Sequence, residues 1–256
     1  MKRKTEEKMW PYPKVLAHRG AGTLAPENTM AAMRYGWEHG FAAVEFDVML
    51  SKDQRPVVIH DEDFGRTVAG SGKVPGYDAA FIMQQDAGAW FSADYKGEPV
   101  PDYASVVNFC RSRGIWMNVE MKPAQGYERE TGLVVAAETL QLFADLSPVD
   151  KQHLPLFSSF SRAALLAAHE VAPHIPRALL IREAGPDWKL HLQEVGACAL
   201  HIRHDCLTRD LAAQVKDAGY GLFCYTVNSP ERARELLSWG VDAFCTDRID
   251  LIPADF

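Results

Sequence analysis

The stretch Ala42 to Asp61, AAVEFDVMLSKDQRPVVIHD, carries two carboxylates, Glu45 and Asp47, two positions apart and closes on His60-Asp61. Read as a strand, its first half alternates between two faces, with Glu45 and Asp47 on one and Val44, Phe46 and Val48 on the other. Two carboxylates on an otherwise apolar strand are costly to bury without a partner, and because like charges repel, a cation is the natural one. A second short strand, Pro56 to His60, follows a turn and ends on the imidazole. Further on, IWMNVEMK places Glu120 and Lys122 on one strand face. Glu45, Asp47 and Glu120 thus form a set of three carboxylates. All-oxygen ligation favours one divalent cation of the Mg²⁺, Ca²⁺ or Mn²⁺ kind over Zn²⁺. Any one of these acids could simply be salt-bridged, Glu120 with Lys122 for example. Three of them inside apolar strands point to a metal site.

His18 and His60 are the acid–base candidates, because imidazole takes and gives protons near neutrality. The rest of the nine histidines read as structural, with His201 and His204, near the end of a later strand, the least secure of them. Arg19 and Lys122 add positive charge beside the acids. Arginine forks onto phosphate oxygens and lysine acts as a point charge. With a cation they would neutralise the transition state of a phosphoryl transfer. Glu27 and Asn28 are open to two readings, a catalytic role or a helix start with Asn28 as its cap.

The elements that must hold these groups alternate along the chain. Lys14 to Ala17 is a short apolar strand ending in His18-Arg19-Gly20, and Pro26 to about His39 reads as helix. From Asp61 to Asp102 the periodicity weakens and turn chemistry takes over, as in GRTVAGSG and VPGYD. An irregular segment of that length is uncommon in a compact barrel, so residues 62–102 read as an inserted subdomain with short helices near the barrel mouth. After it come helix Tyr103–Arg113, strand Ile115–Met121, helix Gly126–Ala144, strand Leu154–Ser158 and helix Ser161–Ala172. They are followed by strand Arg177–Ile181, helix Pro186–Glu194, strand Cys198–Ile202 and helix Thr208–Asp217. Strand Gly221–Val227, helix Pro230–Trp239 and strand Ala243–Thr246 complete the series. About eight strand/helix repeats give a TIM (β/α)8 barrel with a small insertion after strand 2, one domain over residues 1–256. An open doubly wound sheet is the runner-up, and no Gly-rich dinucleotide fingerprint supports it. In a barrel the groups at C-terminal strand ends face the active site. Here these are His18 and Arg19, Glu45 and Asp47, Glu120 and Lys122, Phe160, Tyr225, and Thr246-Asp247.

The bulk numbers agree with a soluble enzyme of small substrates. The chain has 256 residues, 47% of them hydrophobic, and a formal net charge of −7 without a basic run. That argues against nucleic-acid or membrane-surface binding. Five scattered cysteines, with no C-x-x-C pair, fit a reducing compartment better than a disulfide framework. The charged N-terminus MKRKTEEKMW has no apolar core like that of a secretory signal, and no apolar run approaches a membrane span. A cytoplasmic location is expected, and a homo-oligomer stays open.

Taken in order, AHRG, PENT, EFDV, HDEDFGRT, GEPVP, NVEMK, SSF, YTVN and CTD resemble the glycerophosphodiester phosphodiesterase family. They cover roughly Lys14 to Ile252, and the likeness is closest to the bacterial cytoplasmic member. The resemblance implies metal-dependent hydrolysis of glycerophosphodiesters, small-molecule substrates, to glycerol 3-phosphate and an alcohol. It implies His18 and His60 as the acid/base pair, Glu45, Asp47 and Glu120 as metal ligands, and Arg19 and Lys122 as phosphate contacts. Phe160 and Tyr225 would line the glycerol pocket, although many members carry Trp where Tyr225 stands. It also implies attack by the glycerol's own 2-hydroxyl. Two rival readings remain at this stage. A barrel phospholipase acting on intact lipid would need an apolar or basic rim, and a phosphodiester-binding barrel without catalysis would be expected to have lost some of these groups.

Overall fold

The computed structural model describes residues 10–146 and 153–256. The charged stretch read above as no export signal lies, up to residue 9, outside the described residues. The strands are β1 (Val15–Ala17), β2 (Ala43–Leu50), β3 (Pro56–Val58), β4 (Trp116–Met121), β5 (Leu156–Ser159), β6 (Arg177–Ile181), β7 (Ala199–Arg203), β8 (Gly221–Tyr225) and β9 (Ala243–Thr246). All but β3 run parallel, and β1 pairs with both β2 and β9, which closes the sheet into a barrel. β3 is antiparallel and lies on the outer half of β2, Val48 opposite Val58. The helices α1 (Met30–Glu38), α2 (Ala79–Ile82), α3 (Tyr103–Arg113), α4 (Glu128–Leu142), α5 (Arg162–Val171), α6 (Trp188–Glu194), α7 (Arg209–Asp217) and α8 (Pro230–Ser238) complete the (β/α)8 architecture.

Period-two alternation sorts each strand into two layers. Outward residues such as Val44, Phe46, Val48, Met117, Val119 and Met121 join the helix-facing core. Inward residues Leu16, Ala43, Trp116, Leu156, Phe223 and Ala243 form a separate cluster inside the barrel, with Trp10 packed among them. The carboxylates of β2 lie on this inward row, so the strand that buries Phe46 outside necessarily sends Glu45 and Asp47 inside. Register then sets their partners: Glu45 lies opposite Asn118, and Asp47 opposite Glu120.

Five helices, α1, α3, α5, α7 and α8, start on side-chain caps, each contributing about 1 kcal/mol. Thr29 accepts from the Ala32 N–H, Asp102 from Ser105, Ser161 from Ala164, Thr208 from Leu211 and Ser229 from Arg232. The helix expected from Pro26 therefore begins only at Met30, capped by Thr29 and not by Asn28. Asn28 sits at φ 58°, outside helical space, and its side chain is committed elsewhere.

Residues 62–102 hold α2 and two short 3-10 turns, Val74–Gly76 and Ala93–Tyr95. Val68, Val74, Ile82 and Val100 pack with Met49, Val57 and Ile59 in a third apolar cluster. Hydrogen bonding orders the rest. Asp86 accepts the N–H groups of Gly88, Ala89 and Gly97, and Glu98 accepts that of Ala31 in the first turn of α1. None of the helices among the described residues is long and apolar enough to cross a membrane.

Candidate active site

The C-terminal ends of the strands gather the ionisable groups. Glu45, Asp47 and Glu120 each offer a carboxylate oxygen, and these atoms all lie within 4.8 Å of one another. Asp47 is 1% exposed and Glu45 4%. Withdrawing a carboxylate from water costs several kcal/mol even after relaxation. Burial, with the neighbouring Asp47 charge, accordingly pushes Glu45 and Glu120 well above the usual carboxylate range. Asp47 is also buried, but Arg19, His60 and Lys122 hold it below that range. Three hard oxygens, two of them fully buried and the third largely so, fit a divalent cation by donor chemistry.

Around this set stand the cations. Arg19 lies just past β1 at φ 50°, a conformation that non-glycine residues rarely adopt and that recurs at functional sites. The bend lets its backbone N–H donate to Glu45 Oε2 at 3.2 Å and aims the guanidinium at Asp47, with Nε 3.4 Å from Oδ2. Its Nη1 donates to Glu27 Oε1 at 2.8 Å. Lys122 Nζ lies 3.3 Å from Glu120 Oε1 and 3.9 Å from Asp47 Oδ1. Asn28 bridges from the other side: its Nδ2 donates to Asp47 Oδ2 at 2.8 Å, and its Oδ1 accepts the Asp47 N–H at 3.2 Å.

Both histidines share one design. His18 Nδ1 meets Asp247 Oδ1 at 2.5 Å, and His60 Nδ1 meets Asp61 Oδ1 at 2.6 Å. A carboxylate on Nδ1 fixes that nitrogen as the N–H and leaves Nε2 free for proton transfer. Asp247 is in turn held by Asn228, which donates from Nδ2 to Oδ2 and accepts the Asp247 N–H. Gly22 makes the β1 loop fit here: at φ 59°, a Cβ on it would fall 2.2 Å from the Asp247 backbone. His18 Nε2 is 3.7 Å from Glu45 Oε2. The two imidazoles differ in poise. Burial pulls His18 down, but Asp247 and Glu45 outweigh it and leave His18 above the ordinary value. For His60 burial wins, aided by Arg19 and Lys122 against the pull of Asp47 and Asp61, and leaves it lower.

Two open cavities meet at Lys122. One, about 420 Å³, runs from Glu120 past Ser159 to Phe160 and Arg182. The other, about 480 Å³, is lined by His60, Asp61, Phe64 and Arg66. Phe160 stands edge-on to Tyr225 with ring centres 5.8 Å apart, and the Tyr225 hydroxyl donates to the Ile181 carbonyl.

The model of the glycerophosphoryl diester phosphodiesterase family matches residues 18–251. This chain belongs to that family. A glycerophosphodiester phosphodiesterase of Caldanaerobacter subterraneus subsp. tengcongensis is 31% identical over 91% of this chain and 93% of its own length. Among solved structures, an Oleispira antarctica phosphodiesterase in complex with the product sn-glycerol-3-phosphate superposes with a TM-score of 0.85 at 32% identity, covering 95% of this chain and 96% of that one. A glycerophosphodiester phosphodiesterase from Agrobacterium tumefaciens gives 0.77 at 27% identity, over 95% and 100%.

In this family member the structure brings His18, Arg19, Glu45, Asp47, His60, Glu120 and Lys122 to one end of the barrel, with Phe160 and Tyr225 at the rim of the same mouth. Sequence reasoning assigned no role to the residues behind them and left Glu27 and Asn28 open between the site and a helix start. Asp61 and Asp247, the two carboxylates on the imidazoles, were visible only as the residue after His60 and the end of the last strand. Glu27 pairs with Arg19, and Asn28 holds Asp47 where a helix cap was one expectation. Neither histidine marked as least secure joins the site: His201 is buried inside the barrel against Phe223 and Trp10, and His204 lies past β7.

Proposed function

We propose that this protein hydrolyses glycerophosphodiesters to sn-glycerol 3-phosphate and an alcohol. The observation that carries the reading is the buried carboxylate triad with an aspartate-held imidazole beside two of its members, His18 in contact with Glu45 and His60 within electrostatic reach of Asp47. Family membership and the product named in the Oleispira structure support the same chemistry.

In this reading Glu45, Asp47 and Glu120 hold one divalent cation, Mg²⁺, Ca²⁺ or Mn²⁺ by their all-oxygen set, which when bound supplies Lewis-acid charge to the phosphate. Arg19 and Lys122 take the non-bridging oxygens and stabilise the charge that grows there. One imidazole accepts the proton of the attacking hydroxyl at Nε2, and the other delivers a proton from Nε2 to the leaving alkoxide. Asp61 and Asp247 keep both rings in the tautomer that allows this. Phe160 and Tyr225 form the wall against which glycerol packs. Attack by the substrate's own 2-hydroxyl uses a nucleophile already in place, which lowers the barrier by proximity; it expels the alcohol and leaves a cyclic phosphate, which water then opens to glycerol 3-phosphate with the two imidazoles exchanging roles. Such attack would require glycerol on one side of the diester only. Five scattered cysteines with no C-x-x-C pair suit a cytoplasmic location.

The test is release of glycerol 3-phosphate from glycerophosphocholine and glycerophosphoethanolamine, before and after EDTA, with Mg²⁺, Ca²⁺ and Mn²⁺ added back. Release that EDTA abolishes and one cation restores is expected. No release with any of the three ions would reject the activity, and cleavage of intact phosphatidylcholine in preference would move the protein to the phospholipases.

A further inference from the structure

Arg66 lies outside the groups used so far, yet it touches the supports of two of them. Its Nη1 and Nη2 donate to the two oxygens of Glu27, each at 2.7 Å, and its Nε donates to Asp61 Oδ2 at 2.5 Å. The other oxygen of Asp61 holds His60 at Nδ1, and Glu27 Oε1 also accepts from Arg19. One guanidinium therefore spans two second partners, one behind the imidazole and one behind the phosphate-facing arginine. Glu27 comes from the turn before α1 and Asp61 from the connection after β3, and among the described residues no other side chain bridges these two supports.

The loop that carries Arg66 is built to hold still. The Gly65 N–H donates to Val68 O at 2.7 Å and that of Phe64 to Gly72 O at 2.9 Å. Lys73 pairs with Glu62 across its base at 2.8 Å. Val68 and Val74, 2% and 0% exposed, anchor it in the apolar cluster under the 62–102 segment. The tip is half open to solvent, with Arg66 45% exposed, so water alone would solvate the cation. An exposed ion pair contributes little to stability. Its value here is geometric, because a planar fork with N–H groups on three nitrogens can serve two carboxylates at fixed angles, which an ammonium cannot.

We propose that Arg66 is a positioning residue: it locks Asp61 and Glu27 together and thereby sets His60 and Arg19 relative to each other across the bound phosphate. The 62–102 segment then contributes to turnover through Arg66. The inference rests on the function proposed above for its kinetic arm only.

The experiment compares Arg66→Ala, Arg66→Lys and the parent enzyme by kinetics and by crystallography. Misplacing a reacting group by an ångström can cost about 10²-fold, so Arg66→Ala is expected to lose kcat on that order with an unchanged melting temperature. Arg66→Lys is expected to recover only a small part. Guanidinium at millimolar concentration is expected to restore kcat of Arg66→Ala saturably, with ammonium ineffective, a rescue that a merely structural role would not show. Removing Arg66 in an Asp61→Asn background is expected to cost much less than in the parent, because both changes free the same imidazole. In the Arg66→Ala crystal structure Glu27 and Asp61 separate and the His60 ring turns. Parental kcat and KM in Arg66→Ala, or His60, Asp61, Glu27 and Arg19 unmoved in its crystal structure, would overturn the proposal. An inactive parent would reject the activity and leave the crystallographic arm to decide the clamp.

Discussion

The two ends of this barrel's interior are made from the same strands and the same inward rows, and they do opposite things. Climbing β2 by two residues at a time leads from Ala43 to Glu45 to Asp47, and climbing β4 leads from Trp116 to Asn118 to Glu120. Leu16 gives way to His18, Phe223 to Tyr225 and Cys245 to Asp247. The lower end is closed by aromatic packing: Tyr12 stacks on Trp116 at 4.1 Å, and Trp10 lies against Trp116 and Phe223 at 5.9 Å from each. The upper end holds a crowd of charges that would be destabilising in that apolar setting. The lower layers stabilise by dispersion and exclusion of water. The upper layer spends part of that stability on like charges held together. A barrel separates these roles by height along the strand, which is why loops at one end can carry chemistry without unsettling the core.

The largest expected effect comes from breaking the upper end. His18→Ala and His60→Ala should each lower kcat by about 10²–10⁴-fold, the range for loss of a positioned acid or base. The melting temperature should hardly move, because both side chains are partly open to solvent, 16% and 25% exposed. Glycerol 3-phosphate release together with a thermal melt of each variant checks this. Near-parental turnover in either variant would remove that histidine from the chemistry. A large fall in melting temperature would instead mean that the mouth carries stability as well, and the contrast between the ends would fail.

How far the sequence could show this contrast depends on range. Period-two spacing put Glu45 and Asp47 on one face before any coordinates, and the barrel then placed that face inside. The strand/helix alternation after Asp102 was legible for the same local reason, with Arg177–Ile181 and Tyr103–Arg113 matching the observed elements to the residue. The supports were not legible, because they join residues far apart in the chain. Asp247 reaches His18 across 229 positions, and Arg66 reaches Glu27 across 39. Asn28 shows the remaining difficulty. A residue type favoured at helix starts was a reasonable cap, but its left-handed backbone and the bond to Asp47 follow from β1 and β2 lying side by side. Local preference yields there to a tertiary partner.

Breaking the lower end should do the reverse. Phe223→Ala removes a side chain 1% exposed that stacks on His201 with ring centres 4.3 Å apart. Truncating a buried phenylalanine costs about 3–5 kcal/mol through lost transfer energy and the cavity left behind. Denaturant unfolding should read that loss, while kcat per folded molecule, measured well below the transition, should stay near the parent value. A kcat loss comparable to that of His60→Ala would mean that the packing below sets the geometry above.

The smallest effect separates the two ends by pH. His201 sits in the lower half, 0% exposed, and neither ring nitrogen has a hydrogen-bond partner among the described residues. Burial alone pushes it down to about 3. An unfolded histidine takes up its proton near pH 6.5, whereas this one stays neutral in the fold until far lower. Below about 6.5 the unfolded chain therefore binds more protons than the folded one, and stability falls with falling pH until the folded site itself titrates. Above pH 6.5 this histidine adds no pH dependence. His201→Leu keeps the site apolar and removes the titration, so its melting temperature should fall less steeply than the parent's between pH 6.5 and 4. The carboxylates of the mouth titrate in both proteins and cancel in the difference. Two parallel curves would mean that His201 is protonated or hydrated inside the barrel, and that the lower end is not the dry layer its aromatic packing indicates.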